Sequence, residues 1–242
     1  MAPDLHYTDP RLAQLYDLEN GWGPDSAFYL SLAGPIPCEI LDLGCGTGIL
    51  SDGYAALGHR VTGVDPAPAM LAVARQKPQA RRIRWIASTA QSFRSDRRFD
   101  LIVMTGHAFQ VLVTDAEITA TFSVMRDHLA PGGRIAFETR NPAINWAQRW
   151  NGATWQYQVS GETIRRSYEV QSVSAQRIRF TTHYTFLNGS LTSTSTLRFA
   201  SYDTVDTLLR ASGFQVRSVF GDWSLGPLDR AASEEMIFVA GR

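Results

Sequence analysis

Residues 39–48 read Glu-Ile-Leu-Asp-Leu-Gly-Cys-Gly-Thr-Gly, and this stretch limits the fold more than any other. Ile40, Leu41 and Leu43 mark a short buried strand, the glycines a turn, and Ile49 to Leu57 a helix. Glycine reaches positive φ and lets a ligand approach without a Cβ in the way. A strand, a glycine turn and a helix N-terminus together form a cradle for a nucleotide-type cofactor. A dinucleotide fingerprint, Gly-x-Gly-x-x-Gly, would need glycine at 49, where this chain has Ile49. The pattern present is Asp42-x-Gly44-x-Gly46-x-Gly48.

The segments around this turn extend the pattern. Val61-Thr62-Gly63-Val64-Asp65 is a second short strand ending in an acid, the place where such folds hold ribose hydroxyls. Phe99–Met104 reads as a fourth strand running into Thr105-Gly106-His107, and Leu129–Arg134 as the turn before a fifth. With these features the chain resembles the class I S-adenosylmethionine-dependent methyltransferases, in the branch that acts on small molecules, over about residues 35–140 and again from about 201. The resemblance implies an α/β, Rossmann-like, doubly wound sheet of seven mostly parallel strands. The cofactor it implies is S-adenosyl-L-methionine, with S-adenosyl-L-homocysteine as product.

Along the chain, residues 1–34 form an acidic, aromatic segment expected to make a helical cap. Residues 35–140 and 201–242 supply the core, with short apolar runs alternating with helical patterns. Gly58 is a natural helix stop, Pro68 sits early in the second helix, and Thr114-Asp115-Ala116-Glu117 matches a capping box. Residues 141–200 break the rhythm. Thr163–Val170, Arg177–Phe186 and Thr192–Phe199 alternate partially, and Asn188-Gly189 signals a hairpin. These residues are expected to form an antiparallel β insertion after the fifth strand, acting as a substrate lid. Ser201 is a candidate N-cap for the helix that follows, and Gly213 its stop.

By resemblance, Gly44, Gly46 and Gly48 approach the methionine and ribose portion of the cofactor and Asp65 holds the ribose. Met70 then packs near the adenine, and Tyr16 and Met104 complete the pocket. Many relatives carry an acid near position 89 to read the adenine amino group; this chain offers Thr89, Ala90 and Gln91 instead. Asp42 either contacts the ligand or only orders the turn. His107 follows the fourth strand at the rim where acceptor meets methyl donor. It is the candidate base if the acceptor must lose a proton, and otherwise shapes the pocket. Phe109, Gln110, Trp146, Trp155 and Tyr184 are candidate substrate contacts, since aromatics give a small organic acceptor apolar area with directional edges.

Charge and composition remove some alternatives. Lysine plus arginine equals aspartate plus glutamate at 23 each, so no global field favours nucleic acid or an anionic membrane. The basic stretch from Arg75 to Arg98 reads as a solvated face balanced by the acidic N-terminal segment. Cys38 and Cys45 make neither a disulfide framework nor a metal-ligand pattern. No secretory signal and no apolar run near the ~20 residues of a membrane span is visible, so a cytoplasmic protein without nucleic-acid or membrane partners is expected. Two other readings of the turn stand beside methyl transfer: non-methyltransferase catalysis with the same cofactor, such as cyclisation or decarboxylation, and a non-catalytic cofactor-binding module.

Overall fold

The computed structural model describes residues 4–159 and 161–242. Three N-terminal helices, α1 (Leu5–Thr8), α2 (Pro10–Glu19) and α3 (Pro24–Ala33), precede a β/α series. The series runs β1 (Glu39–Leu43), α4 (Ile49–Ala56), β2 (Arg60–Asp65), α5 (Pro68–Ala74), β3 (Arg84–Ala87), β4 (Phe99–Met104), α6 (Asp115–His128) and β5 (Leu129–Arg140). An insertion follows, with α7 (Trp146–Trp150), β6 (Thr154–Val159), β7 (Glu162–Ser174), β8 (Arg177–Phe186) and β9 (Gly189–Arg198). The chain then returns through α8 (Tyr202–Ala211), β10 (Gln215–Phe220) and β11 (Glu235–Gly241).

The main sheet has seven strands in the order β10-β11-β5-β4-β1-β2-β3. β1 to β5 pair in parallel, and β11 is antiparallel to both β5 and β10. Strand order reverses between β1 and β4, which opens a crevice at the carboxyl ends of the strands. Alternation along each strand feeds a layer on either face. Leu41, Leu43, Ile102, Phe137 and Phe238 pack with α6 and α8, while Ile40, Val103, Ala136 and Ile237 pack with α3 and α4.

Local signals explain where these elements stop and start. Thr114 and Glu117 close a reciprocal capping box on α6, Ser201 caps α8 by accepting from the Thr204 amide, and Gly58 and Gly213 follow their helices at positive φ. The Pro131-Gly132-Gly133 segment is a bulge inside β5 rather than a turn ahead of it: Phe99 pairs with Leu129, and Leu101 next pairs with Arg134.

The insertion is a four-stranded antiparallel sheet in the order β6-β7-β8-β9, with its hairpin at Leu187-Asn188. It contains two elements the sequence pattern did not reveal, α7 and the edge strand β6. Its inner face meets α2 through Ile164 and Tyr184 against Leu12 and Leu15. Its other end, with Ile178 and Phe180, packs on Trp146 and Phe199. No helix among the described residues is long and apolar enough to cross a membrane.

Candidate active site

The glycine turn sits at the reversal of strand order and is tied to β2, since the Gly44 and Cys45 amides both donate to Val64 O, at 2.7 and 3.0 Å. Gly44, Gly46 and Gly48 all have positive φ, but they face different surroundings. A Cβ on Gly48 would lie 2.5 Å from Trp85 Cη2, and one on Gly44 2.9 Å from Ala108 Cβ. A Cβ on Gly46 would meet nothing closer than Tyr16 Cε1 at 3.8 Å. Two of the glycines therefore make room for packing, while Gly46 leaves space for a Cβ, with the edge of the Tyr16 ring in ordinary contact.

Asp65 ends β2 beside that space. Its Oδ2 accepts from the Gly46 amide at 2.9 Å and its Oδ1 from the Ala67 amide at 2.8 Å. Burial raises its carboxyl from the usual range, and the two amides oppose the rise. Each oxygen keeps a second lone pair, so the carboxylate can still accept from a pair of hydroxyls. Asp42 lies under the turn, fully buried, with Ser51 Oγ on its Oδ2 at 2.7 Å and, among the described residues, no partner for Oδ1. Burial pushes its pKa up to about 7, against the Ser51 hydrogen bond.

The N-terminal helices close over this turn. Tyr16 spans Gly46 and Gly106, with its hydroxyl 3.7 Å from where a Cβ on Gly106 would sit. Asp17 holds α2 in place through Thr47 Oγ1 and the Lys77 ammonium, and this ion pair links the basic stretch to the acidic segment. Met70 is buried with Ala13 and Ala67 against Tyr7 and Tyr16. After β3, Thr89 is used locally: its carbonyl and hydroxyl both accept from the Ser92 amide. Ala90 packs on the core, which leaves Gln91 the freer of the three to meet a ligand.

A second group of polar side chains gathers beyond β4. His107 takes a left-handed conformation, φ 59°, and its amide donates to Glu138 Oε1 at 2.5 Å. Its Nε2 lies 2.9 and 3.1 Å from the two oxygens of Glu235. Glu138 is buried and also accepts from the Tyr29 hydroxyl; burial raises its carboxyl, with His107 and Tyr29 opposing. Arg140, the last residue of β5, donates to Gln110 Oε1 at 2.9 Å and lies over Trp146 and Trp150.

Several expected pocket residues turn out to support the site from behind. Phe109 stacks on Phe137 with centroids 4.5 Å apart, and Met104 joins the same core cluster, so neither side chain lines the crevice. Gln110 is buried and spans from Arg140 to the Arg198 carbonyl. Trp146 is buried under the insertion with its indole N–H on Asn141 O. Trp155 packs edge-on against Tyr168 beneath Arg166, and Tyr184 is wholly buried with its hydroxyl 2.9 Å from His6 Nδ1. Sequence reasoning missed Glu138 and Glu235. The available signal was an acid in an otherwise apolar strand, as in Ile135-Ala136-Phe137-Glu138.

At the reversal of strand order the seven-stranded sheet thus presents a glycine turn with room for a Cβ at Gly46 and, at the end of β2, the acid Asp65 with acceptor capacity to spare. A family profile described as "Methyltransferase domain" matches residues 40–133. The cypemycin N-terminal methyltransferase of a Streptomyces species is 25% identical over 206 residues, covering 84% of this chain and 82% of that protein. A ubiquinone biosynthesis O-methyltransferase of Cereibacter sphaeroides is 32% identical over 139 residues, and the match spans only 55% of that relative. Among solved structures, an amino pentose methyltransferase of Micromonospora echinaspora with S-adenosylmethionine bound is 25% identical, with TM-score 0.69 and 94% of each chain covered. A Clostridium acetobutylicum methyltransferase shares the fold at TM-score 0.78 and 16% identity, over 95% of this chain and 97% of that one. The chain carries a methyltransferase domain over residues 40–133 and has the fold of S-adenosylmethionine-dependent methyltransferases.

Proposed function

We propose that the enzyme methylates an amine nitrogen, with His107 taking the amine's proton and Glu235 orienting the imidazole. The observation that carries this is the contact of His107 Nε2 with both Glu235 oxygens. A carboxylate on Nε2 fixes that nitrogen as the donor and leaves Nδ1 as the acceptor. An amine is protonated near neutral pH and must lose a proton before its lone pair can attack. The carboxylates of Glu138 and Glu235 favour an incoming ammonium and then the imidazolium. The cypemycin N-terminal methyltransferase, whose name points to an amine acceptor, supports the same choice.

The cofactor fits the residues present, given the gap at Gly46, the spare lone pairs of Asp65 and the unpartnered Asp42 Oδ1. Bound S-adenosylmethionine supplies a methyl group on a sulfonium and leaves as S-adenosylhomocysteine. In our reading the amides around Gly44, Gly46 and Gly48 hold its methionine and ribose portion. Asp65 takes the ribose hydroxyls, Met70 and Gln91 meet the adenine, and Tyr16 seals the turn against water. Residues 1–34 serve as cap, 35–140 and 201–242 as core, and 141–200 as substrate lid. Alignment and water exclusion do most of the remaining work.

The test is release of S-adenosylhomocysteine with a panel of primary amines and a matched panel of phenols. Amines should support release, and phenols should not. His107→Ala should keep its affinity for S-adenosylhomocysteine while turnover falls ~10²–10⁴-fold. Glu235→Gln should lose turnover less and move the rising limb of the pH–rate profile. Turnover of phenols alone, or an unimpaired His107→Ala, overturns the reading.

A further inference from the structure

Three buried or enclosed arginines stand on β5 and on the strands of the insertion, Arg140, Arg166 and Arg198, and two of them are neutralised within the protein. Arg166 pairs with Glu19 at 2.5 Å and Arg198 with Asp115 at 2.6 Å. Arg140 is different. Among the described residues its guanidinium has one hydrogen-bond acceptor, the neutral amide oxygen of Gln110, and no carboxylate within ion-pair distance. A guanidinium carries five N–H donors, so most of its capacity is unused.

The nearby acids are committed elsewhere. Glu235 faces Arg140 across the β5–β11 register but holds His107, and Glu138 holds Tyr29 and the His107 amide. The indoles of Trp146 and Trp150, 5.6 and 5.1 Å from the guanidinium carbon, keep water from part of the group. Trp146 is fixed by its own bond to Asn141 O, and Gln110 is fixed at its other end by Arg198 O, so the guanidinium is held in one position. Burial lowers the Arg140 pKa from its ordinary value, and Glu235, Tyr168, Glu138 and Tyr7 act against that. An enclosed charge with open donors, held by supports on two sides, has the form of a binding group rather than a structural one.

We propose that Arg140 anchors an anionic oxygen group, a carboxylate or a phosphate, carried by the methyl acceptor. This rests on the methyl-transfer reading above, because Arg140 ends β5 at the same rim as His107 and Glu235. The acceptor then carries an amine and an anion held apart on one small scaffold. Its amine is directed to His107 and its anion to Arg140, and neutral amines of the same shape bind poorly.

The experiment is isothermal titration of the protein, free and saturated with S-adenosylhomocysteine, with succinate and with inorganic pyrophosphate as probes. One of the two should bind saturably to wild type, and which one identifies the source as carboxylate or phosphate. Arg140→Met should weaken that binding ~10–100-fold, the range for losing a hydrogen bond to a charged group. Arg140→Lys should fall between, since an ammonium keeps the charge but not the planar fork. Arg149→Met should bind as wild type, because Arg149 lies over Trp146 but is exposed and paired with Glu234. Absence of saturable binding by either probe, or equal binding by Arg140→Met, overturns the proposal. If Arg140→Met does not fold, unchanged affinity in Arg140→Lys does the same. Failure of wild type to bind S-adenosylhomocysteine would count against the methyl-transfer reading alone, since the free protein still reports on the anion.

Discussion

Arg166→Met offers a sharp test of how the insertion is held to the N-terminal helices. Arg166 is 8% exposed and its Nη1 meets Glu19, whose side chain is 1% exposed. The Tyr184 hydroxyl donates to the same Glu19 oxygen at 3.2 Å, and the guanidinium lies 4.3 Å from the Trp155 ring centroid. Burial raises the Glu19 carboxyl, and Arg166 is the main influence holding it down. Methionine keeps much of the stem's volume and removes the charge, leaving Glu19 buried beside one hydroxyl. Breaking a buried pair this way costs ~3–5 kcal/mol, while replacing both partners by apolar groups is often close to neutral. For a chain of this size the single variant should lose roughly 6–15 °C in Tm at pH 8. The pH dependence has a definite sign. In the variant the folded-state pKa of Glu19 lies further above its unfolded value, so stability is highest below the ordinary glutamate range and is lost as pH rises through the raised pKa. Thermal unfolding followed by circular dichroism at pH 5 and pH 8 reads both effects. The double variant Glu19→Leu with Arg166→Met should recover to within ~1 kcal/mol of wild type. A single-variant loss under ~0.5 kcal/mol, or losses that simply add in the double variant, would show that the pair is solvated and the reasoning wrong.

Other consequences are as direct. Gly48→Ala and Gly46→Ala share the ~1–2 kcal/mol strain of a left-handed alanine, but only the first collides with Trp85, at 2.5 Å. Gly48→Ala should therefore lower Tm more, while Gly46→Ala should keep most of its Tm and lose affinity for S-adenosylhomocysteine; the reverse ranking would refute the division between packing and cradle. His6 has its pKa lowered to about 4, chiefly by burial and then by Arg166. A depressed folded-state pKa means stability present above about 6.5 and lost as pH falls through about 4, on the order of 3 kcal/mol in total. Chemical denaturation of wild type and His6→Gln between pH 7 and 4 should show that fall in wild type and a flatter profile in the variant.

The glycine turn, Asp65 and the caps at Thr114 and Ser201 were legible because their chemistry is local: a few residues, at fixed spacing, satisfy one another. The Asn188-Gly189 hairpin was legible for the same reason. β6 was not, because Thr154–Val159 is an edge strand with no buried face and hence no alternation to read. α7 was not, because five residues give barely more than one turn. Met104 ends the fourth strand and Phe109 follows it so closely that both looked like pocket wall, yet Phe137 and Phe122 stack on Phe109 within the core. The Glu19–Arg166 and His107–Glu235 pairs join residues more than a hundred positions apart, and nothing in either local sequence specifies its partner.

Helix α2 bears on both halves of the site at once. Tyr16 and Asp17 rest on the glycine turn, while Glu19 on the same ten-residue helix reaches the insertion. One short helix thus joins the glycine turn to the insertion, so a shift of either is passed to the other. Linkage makes any such coupling reciprocal: an acceptor that tightens the helix strengthens cofactor binding by the same free energy with which the cofactor strengthens the acceptor's.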